Sequence, residues 1–172
     1  MTKDPARDIL PSWSHDGRWV YFASDRTGTF QTWKMRADGS APAIQVTRNG
    51  GFGGIESADG HFLYYNSLVM SGPIYRVPVD GGEEVLLGNG IRSLRLPRNF
   101  AVGRDGIDFM SSDDPSRWFE ISVYSFAGRL TEVIARIEGR LGNVMTISPD
   151  GQSLLFTVEQ HAGDLVMVED FR

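Results

Sequence analysis

Residues 11–28 read PSWSHDGRWVYFASDRTG, and the Asp16-Gly17 pair at their centre returns as Asp59-Gly60, Asp105-Gly106 and Asp150-Gly151. The intervals are 43, 46 and 45 residues, a period at which stacked repeats, and propeller blades in particular, are expected. The segment after each pair repeats too. Trp19 to Ala23, Phe62 to Tyr65, Ile107 to Met110 and Leu154 to Val158 are runs rich in aromatic and aliphatic residues, apolar on both parities, which predicts strands buried on both faces. A second turn comes 21 or 22 residues after the first, at Asp38-Gly39, Asp80-Gly81 and Ala127-Gly128. Two hairpins per repeat predict four strands per repeat, hence an all-β propeller of about four four-stranded blades.

The repeats predict one propeller domain over residues 1–172, with blades at about 9–49, 50–97, 98–142 and 143–172. In the first, Phe30 to Arg36 alternates Gln31, Trp33, Met35 against Thr32, Lys34, Arg36, which suits an outer strand with one wet face. Gly50 to Gly54 reads as a flexible crossing to the next inner strand at Ile55 to Ser57. Leu130, Val133, Ile134 and Ile137 have a spacing that also fits a helix, but they occupy the repeat position of Ile44 to Thr47 and are read as a strand. Only 22 residues come after Asp150, so the last blade is expected to lack its outermost strand.

The chain carries 17 Lys plus Arg against 22 Asp plus Glu, a net charge of -5. This argues against a nucleic-acid partner, which needs a basic surface to displace phosphate counterions. There is no cysteine, and so no disulfide or thiolate chemistry. No apolar run approaches the length of a membrane span, and Met1 to Asp8 lacks the apolar core of a signal peptide. The chain as written reads as cytoplasmic, or as periplasmic if it belongs to an exported parent.

PSWSHDGRWVYFASDRTG and ISPDGQSLLFT (residues 147–157) resemble the blades of the TolB-like β-propeller family. The resemblance implies a closed ring of six or more blades in the family, and a loop at Asp25 and Arg26 that ties one blade to the next. Residues 164–172 are similar to the final blade of propellers appended to bacterial winged-helix regulators and Ser/Thr kinases, which implies a carboxy-terminal part of a larger regulatory or TolB-like protein. Four blades fit a partial propeller that needs missing blades, a tight closed ring of four, or two chains that pair their open faces; an unclosed array leaves an apolar face at each end, and such faces favour association. A homo-oligomer is therefore expected.

Candidate chemistry is sparse. The nucleophile elbow G-x-S-x-G is absent, and Ser14, His15 and Asp16 are consecutive, so they do not face one another as a triad. His15, His61 and His161 fall at turns of different repeats, not at ligand spacing. Asp16, Asp59, Asp105 and Asp150 are read as turn stabilisers, with Gly17, Gly60, Gly106 and Gly151 supplying positive φ. No catalytic residue, metal or cofactor is assigned. The candidate binding surface is the channel mouth, with Phe52, Glu56, Arg98, Asn99, Phe100 and Asn143. Phe52 offers an aromatic contact there, and Arg98 with Asn99 offers donors for a carboxylate or peptide backbone. Phe52 and Phe100 fit a buried plug equally well. The expected function is a non-catalytic protein- or peptide-binding or ligand-sensing module. The alternatives are a propeller hydrolase, lyase or lactonase with a channel metal, and a structural fragment without activity of its own.

Overall fold

Short apolar runs cut by Gly-containing turns fold as antiparallel hairpins, since each run is too brief for a helix and each turn reverses the chain. The computed structural model describes residues 4–68, 72–88, 91, 99–159 and 164–169, which contain fifteen strands and no helix. The chain divides into two units, Met1–Leu87 and Gly88–Arg172. The first holds two four-stranded sheets: β1 (Asp8–Trp13), β2 (Trp19–Ser24), β3 (Gln31–Arg36) and β4 (Ile44–Gln45), then β5 (Phe52–Glu56), β6 (Phe62–Asn66), β7 (Ile74–Pro78) and β8 (Val85–Leu86). The second holds β9 (Phe100–Val102), β10 (Gly106–Ser111), β11 (Trp118–Ser125) and β12 (Thr131–Glu138), then a sheet of three described strands, β13 (Arg140–Ile147), β14 (Ser153–Glu159) and β15 (Asp164–Glu169). Within each sheet neighbours in space are neighbours in sequence, the meander of a propeller blade. The segment at Leu130 to Ile137 is strand, as its repeat position requires, because it pairs with β11 over seven residue pairs from Trp118↔Glu138 to Tyr124↔Thr131.

Three of the four inner strands, β1, β5 and β13, share a bulge that the sequence does not announce. Register slips between Ile9 and Ser12 in β1, between Phe52 and Ile55 in β5, and between Leu141 and Met145 in β13. Leu10 and Gly53 sit in the first two bulges with φ of 55° and 60°, the left-handed region in which one extra residue bends a strand.

Each unit has its own core between its two sheets. In the first, Tyr21 and Val46 of the leading blade meet Leu63, Tyr65 and Val77 of the next. In the second, Ala101, Met110, Phe119 and Ile121 meet Leu141, Met145, Leu154, Phe156 and Val158, with Phe119 and Phe156 edge to face at 5.8 Å. Burial of these aliphatic and aromatic side chains contributes roughly 1.5–3 kcal/mol each.

The structure corrects three expectations. Gly50 to Gly54 is not a loose crossing, because β5 starts at Phe52 and Gly51 is packed so closely that a Cβ would lie 2.3 Å from the Thr32 amide nitrogen and 2.5 Å from the Thr47 hydroxyl. The parity of β3 expected to be wet is covered: Thr32 and Lys34 are buried while Trp33 and Met35 are half-buried, since the neighbouring blade lies on that face. Gly106 does not have positive φ. It begins β10 opposite Ser125, in a tighter turn closed by Gly103 N–H to the Gly106 carbonyl (2.9 Å), and a Cβ there would meet the Tyr124 carbonyl oxygen at 2.4 Å.

Candidate functional site

The Asp-Gly turns of the first, second and fourth repeats are one construction. Ser14, Ser57 and Ser148 stand two residues before Asp16, Asp59 and Asp150, and their hydroxyls donate to the carboxylates at 2.7, 2.6 and 2.5 Å. The same carboxylate oxygens accept the amides of Arg18, His61 and Gln152 at 2.9–3.0 Å. Each serine oxygen accepts a further amide, from Trp19, Phe62 and Ser153. Gly17, Gly60 and Gly151 complete the turn at φ near 70°. The serine hydroxyl first, and the amide second, hold all three carboxyls below the usual aspartate range, Asp59 at about 2. The third repeat has Gly103 where the others have serine, and its turn differs accordingly. A serine two residues ahead of the Asp-Gly pair, present in three of the four repeats, is the legible signal for this construction.

A second set of polar groups ties the two blades of the first unit. Glu56, at the end of β5, accepts the Tyr21 hydroxyl (2.5 Å) on one oxygen and the His15 amide (3.0 Å) on the other. Burial, followed by this carboxylate, raises the Tyr21 phenol well above the ordinary tyrosine range. Lys34, 5% exposed, reaches across from β3 to the Val79 carbonyl (2.7 Å) and to Asp80 (2.9 Å), its ammonium 4.7 Å from the Trp19 ring. Ser12 donates to the Gly54 carbonyl (2.5 Å), and Glu84 accepts the amides of Arg48 (2.5 Å) and Asn49 (3.1 Å).

Among the described residues, the Asp25-Arg26 loop binds groups of its own blade and of the segment that leads into it. Asp25 accepts both the amide and the guanidinium of Arg7, at 2.9 and 2.8 Å, and this arginine holds the Asp25 carboxyl below its ordinary value. Arg26 pairs with Asp8 (3.0 Å) and Ser24 (2.9 Å) and lies over the rings of Phe22 and Trp33.

The residues assigned to the channel mouth are dispersed among different roles. Phe52 opens β5, is 3% exposed, and packs 5.0 Å from Phe30. Glu56 is engaged as above. Asn99 and Phe100 stand at the start of β9 and are fully buried; both amide atoms of Asn99 lack a hydrogen-bond partner, although its carbonyl accepts the Met110 amide at 2.9 Å. Asn143 lies within β13, and Arg98, with Arg92, Arg95 and His161, lies outside the described residues. His15 and His61 are exposed on separate turns, His61 Nδ1 lying 3.3 Å from Asp59. Among the described residues no three His, Asp or Glu side chains converge as a metal cage, and no helix is long and apolar enough to cross a membrane.

The fold of these four-stranded sheets recurs in solved structures. TolB from Acinetobacter baumannii matches 94% of the chain with a TM-score of 0.75 at 16% identity. The fold is that of the TolB-like β-propellers. Oligogalacturonate lyase from Vibrio parahaemolyticus matches 99% of the chain (TM-score 0.70, 16% identity), and the nidogen/laminin complex supplies a propeller that matches 95% of it (0.71, 13%). An uncharacterized protein of Agrobacterium fabrum is 49% identical over 41 residues, 24% of the chain. No family model matches. The chain spans 40% of that TolB, 53% of the lyase and 14% of the Agrobacterium protein, so it corresponds to part of each.

Proposed function

We propose that the chain is a non-catalytic interaction module, a TolB-like set of blades that binds a protein or peptide, within a larger bacterial regulatory or TolB-like protein. The observation that carries this reading is where the carboxylates go. Asp16, Asp59 and Asp150 are bound by serine hydroxyls and amides in turns, and Glu56 spends both oxygens joining blades. These four carboxylates are thus engaged in holding the scaffold. Loops and strand ends on a rigid scaffold are where recognition resides. The contact residues we assign are Phe52, Glu56, Arg98, Asn99, Phe100 and Asn143, with Asn99 supplying a donor and an acceptor that match those of a peptide bond. TolB and a chain of the nidogen/laminin complex share the fold.

The test is selection from a displayed random-peptide library, followed by calorimetric titration of the selected peptides. Asn99→Ala and Arg98→Ala each weaken binding about tenfold, the loss of one desolvated hydrogen bond. Selected peptides that bind both variants as tightly as the parent would refute the assignment. A second reading, a propeller enzyme with a channel metal, draws on the fold shared with oligogalacturonate lyase, which has been solved with manganese. Turnover of oligogalacturonate dependent on added Mn²⁺ would favour it over the binding role.

A further inference from the structure

A free sheet edge invites pairing, and natural proteins blunt it, commonly by keeping the edge strand very short. The first unit follows that rule: β4 and β8, the outermost strands of its two blades, have two residues each. β12, the outermost strand of the third blade, has eight, Thr131–Glu138, and among the described residues it pairs with β11 alone. Thr131, Glu132, Val133, Arg136 and Glu138 are all exposed along it. An outermost strand lies on the rim of its own blade, so this edge is open whichever blades stand against the two faces of the sheet.

Two bonds fix which way each residue of β12 turns. The Gly139 amide donates to the Arg117 carbonyl at 2.8 Å, and the Ser125 amide to the Leu130 carbonyl at 3.0 Å. Hydrogen-bonding direction alternates along an antiparallel strand, apart from the slip opposite Ile121 and Ser122, where Ile134 is passed over. Thr131, Val133, Arg136 and Glu138 therefore turn their N–H and C=O groups away from β11, a row of donors and acceptors on which another strand can form.

The inner neighbour shows what the side chains of β12 take opposite them. Glu120 stands across from Arg136, Ile121 from Ala135 and Phe119 from Ile137. Glu132 and Glu138 have only Val123 and Trp118 across from them, and neither makes an ion pair among the described residues. Arg136 is held over the Trp118 ring, its guanidinium carbon 3.8 Å from the ring centre. Opposite charges facing each other stabilise a strand pair, and like charges destabilise it. A strand laid outside β12 thus meets acid, base and acid at Glu132, Arg136 and Glu138, with Val133, Ala135 and Ile137 between them.

We propose that β12 is a docking edge for an extended segment of a partner protein, which pairs antiparallel with it and reads basic, aliphatic, acidic, aliphatic, aliphatic, basic. The two basic residues stand opposite Glu138 and Glu132, the acidic one opposite Arg136, and the aliphatic ones opposite Ile137, Ala135 and Val133. Antiparallel addition continues the order of the blade and is the slightly more stable pairing. Main-chain hydrogen bonds supply affinity in this mode of recognition, and the side-chain rows select the sequence. The edge shares no residue with the channel mouth, so either assignment stands if the other fails.

The probe is a fluorescently labelled peptide, KVEVVKT, which follows that order and ends opposite Thr131; it is titrated with the full chain by fluorescence anisotropy, beside the charge-reversed EVKVVET. KVEVVKT binds with a Kd on the order of 1 mM or tighter, and EVKVVET binds at least about tenfold more weakly, because three opposite-charge pairs become like-charge pairs. Val133→Pro removes an amide that β11 does not use, so the far-ultraviolet circular dichroism is unchanged while binding is lost. Arg136→Glu weakens KVEVVKT about fivefold and strengthens KVKVVKT about as much, a reversal that a misfolded variant does not give. Absence of saturable binding, equal binding of KVEVVKT and EVKVVET, or binding indifferent to Val133→Pro overturns the proposal. An Arg136→Glu variant that does not prefer KVKVVKT overturns the register opposite Arg136.

Discussion

Replacing Glu56 by alanine tests whether this residue acts first as the bolt between two blades. The change leaves the Tyr21 hydroxyl, in a side chain 1% exposed, without its acceptor, and returns the His15 amide to water. Hydrogen bonds to a charged group contribute about 1.5–3 kcal/mol each. Glu56 is half-buried and the His15 amide is exposed, so solvent screens the second bond and the sum expected is about 2–3 kcal/mol. For a chain of 172 residues that corresponds to a fall in Tm of roughly 5–10 °C. Tyr21→Phe keeps the ring in place and lets water solvate the freed Glu56 oxygen, at a cost of about 1 kcal/mol. Because both changes delete the same bond, the double variant should be less destabilised than the sum by about 1 kcal/mol, the signature of direct contact. Urea unfolding followed by far-ultraviolet circular dichroism and by tryptophan fluorescence gives the three values, and coincident transitions license the two-state treatment. Strict additivity, or a Glu56→Ala variant as stable as the parent, would refute the reasoning and return Glu56 to the role of a surface ligand.

The geometry sets three more outcomes. The serine-bound Asp59, with a pKa of about 2, contributes stability that is complete above the ordinary aspartate pKa of about 3.9 and is lost as pH falls through 2. An acid titration should therefore show a loss between pH 4 and 2 that Ser57→Ala, removing the leading cause of the shift, flattens; an unchanged profile would disprove the link. Gly106→Ala, whose methyl would meet the Tyr124 carbonyl oxygen at 2.4 Å, should destabilise more than Gly17→Ala, where φ is +70° but nothing lies within 4 Å. Thermal melts of the two variants decide this, and the reverse order would contradict the packing. Arg129 holds φ of 52° after β11, with its amide on the Ser125 carbonyl, so Arg129→Gly should relieve left-handed strain and raise stability by up to about 1 kcal/mol in the same melts. A lower melting temperature would show that the arginine side chain contributes more than its backbone costs.

The period, the four blades and the turn positions are legible in the residues alone, because Asp-Gly hairpins and strands buried on both faces are local properties, and each repeat states them afresh. Repeat position also settles the ambiguous stretch at Leu130 to Ile137, where it outweighs a helical spacing. The remaining features depend on packing between strands distant in sequence. The glycines at 50–54 look like flexibility until the Thr32 amide and the Thr47 hydroxyl close on Gly51. Lys34 looks solvated until Val79 and Asp80, more than forty residues away, arrive to satisfy its ammonium. The bulge shared by three inner strands has no compositional mark, since Leu10 and Gly53 take the same left-handed backbone. Glu56 looks like a surface carboxylate until the Tyr21 hydroxyl of the preceding blade closes on it, and no single repeat contains that information.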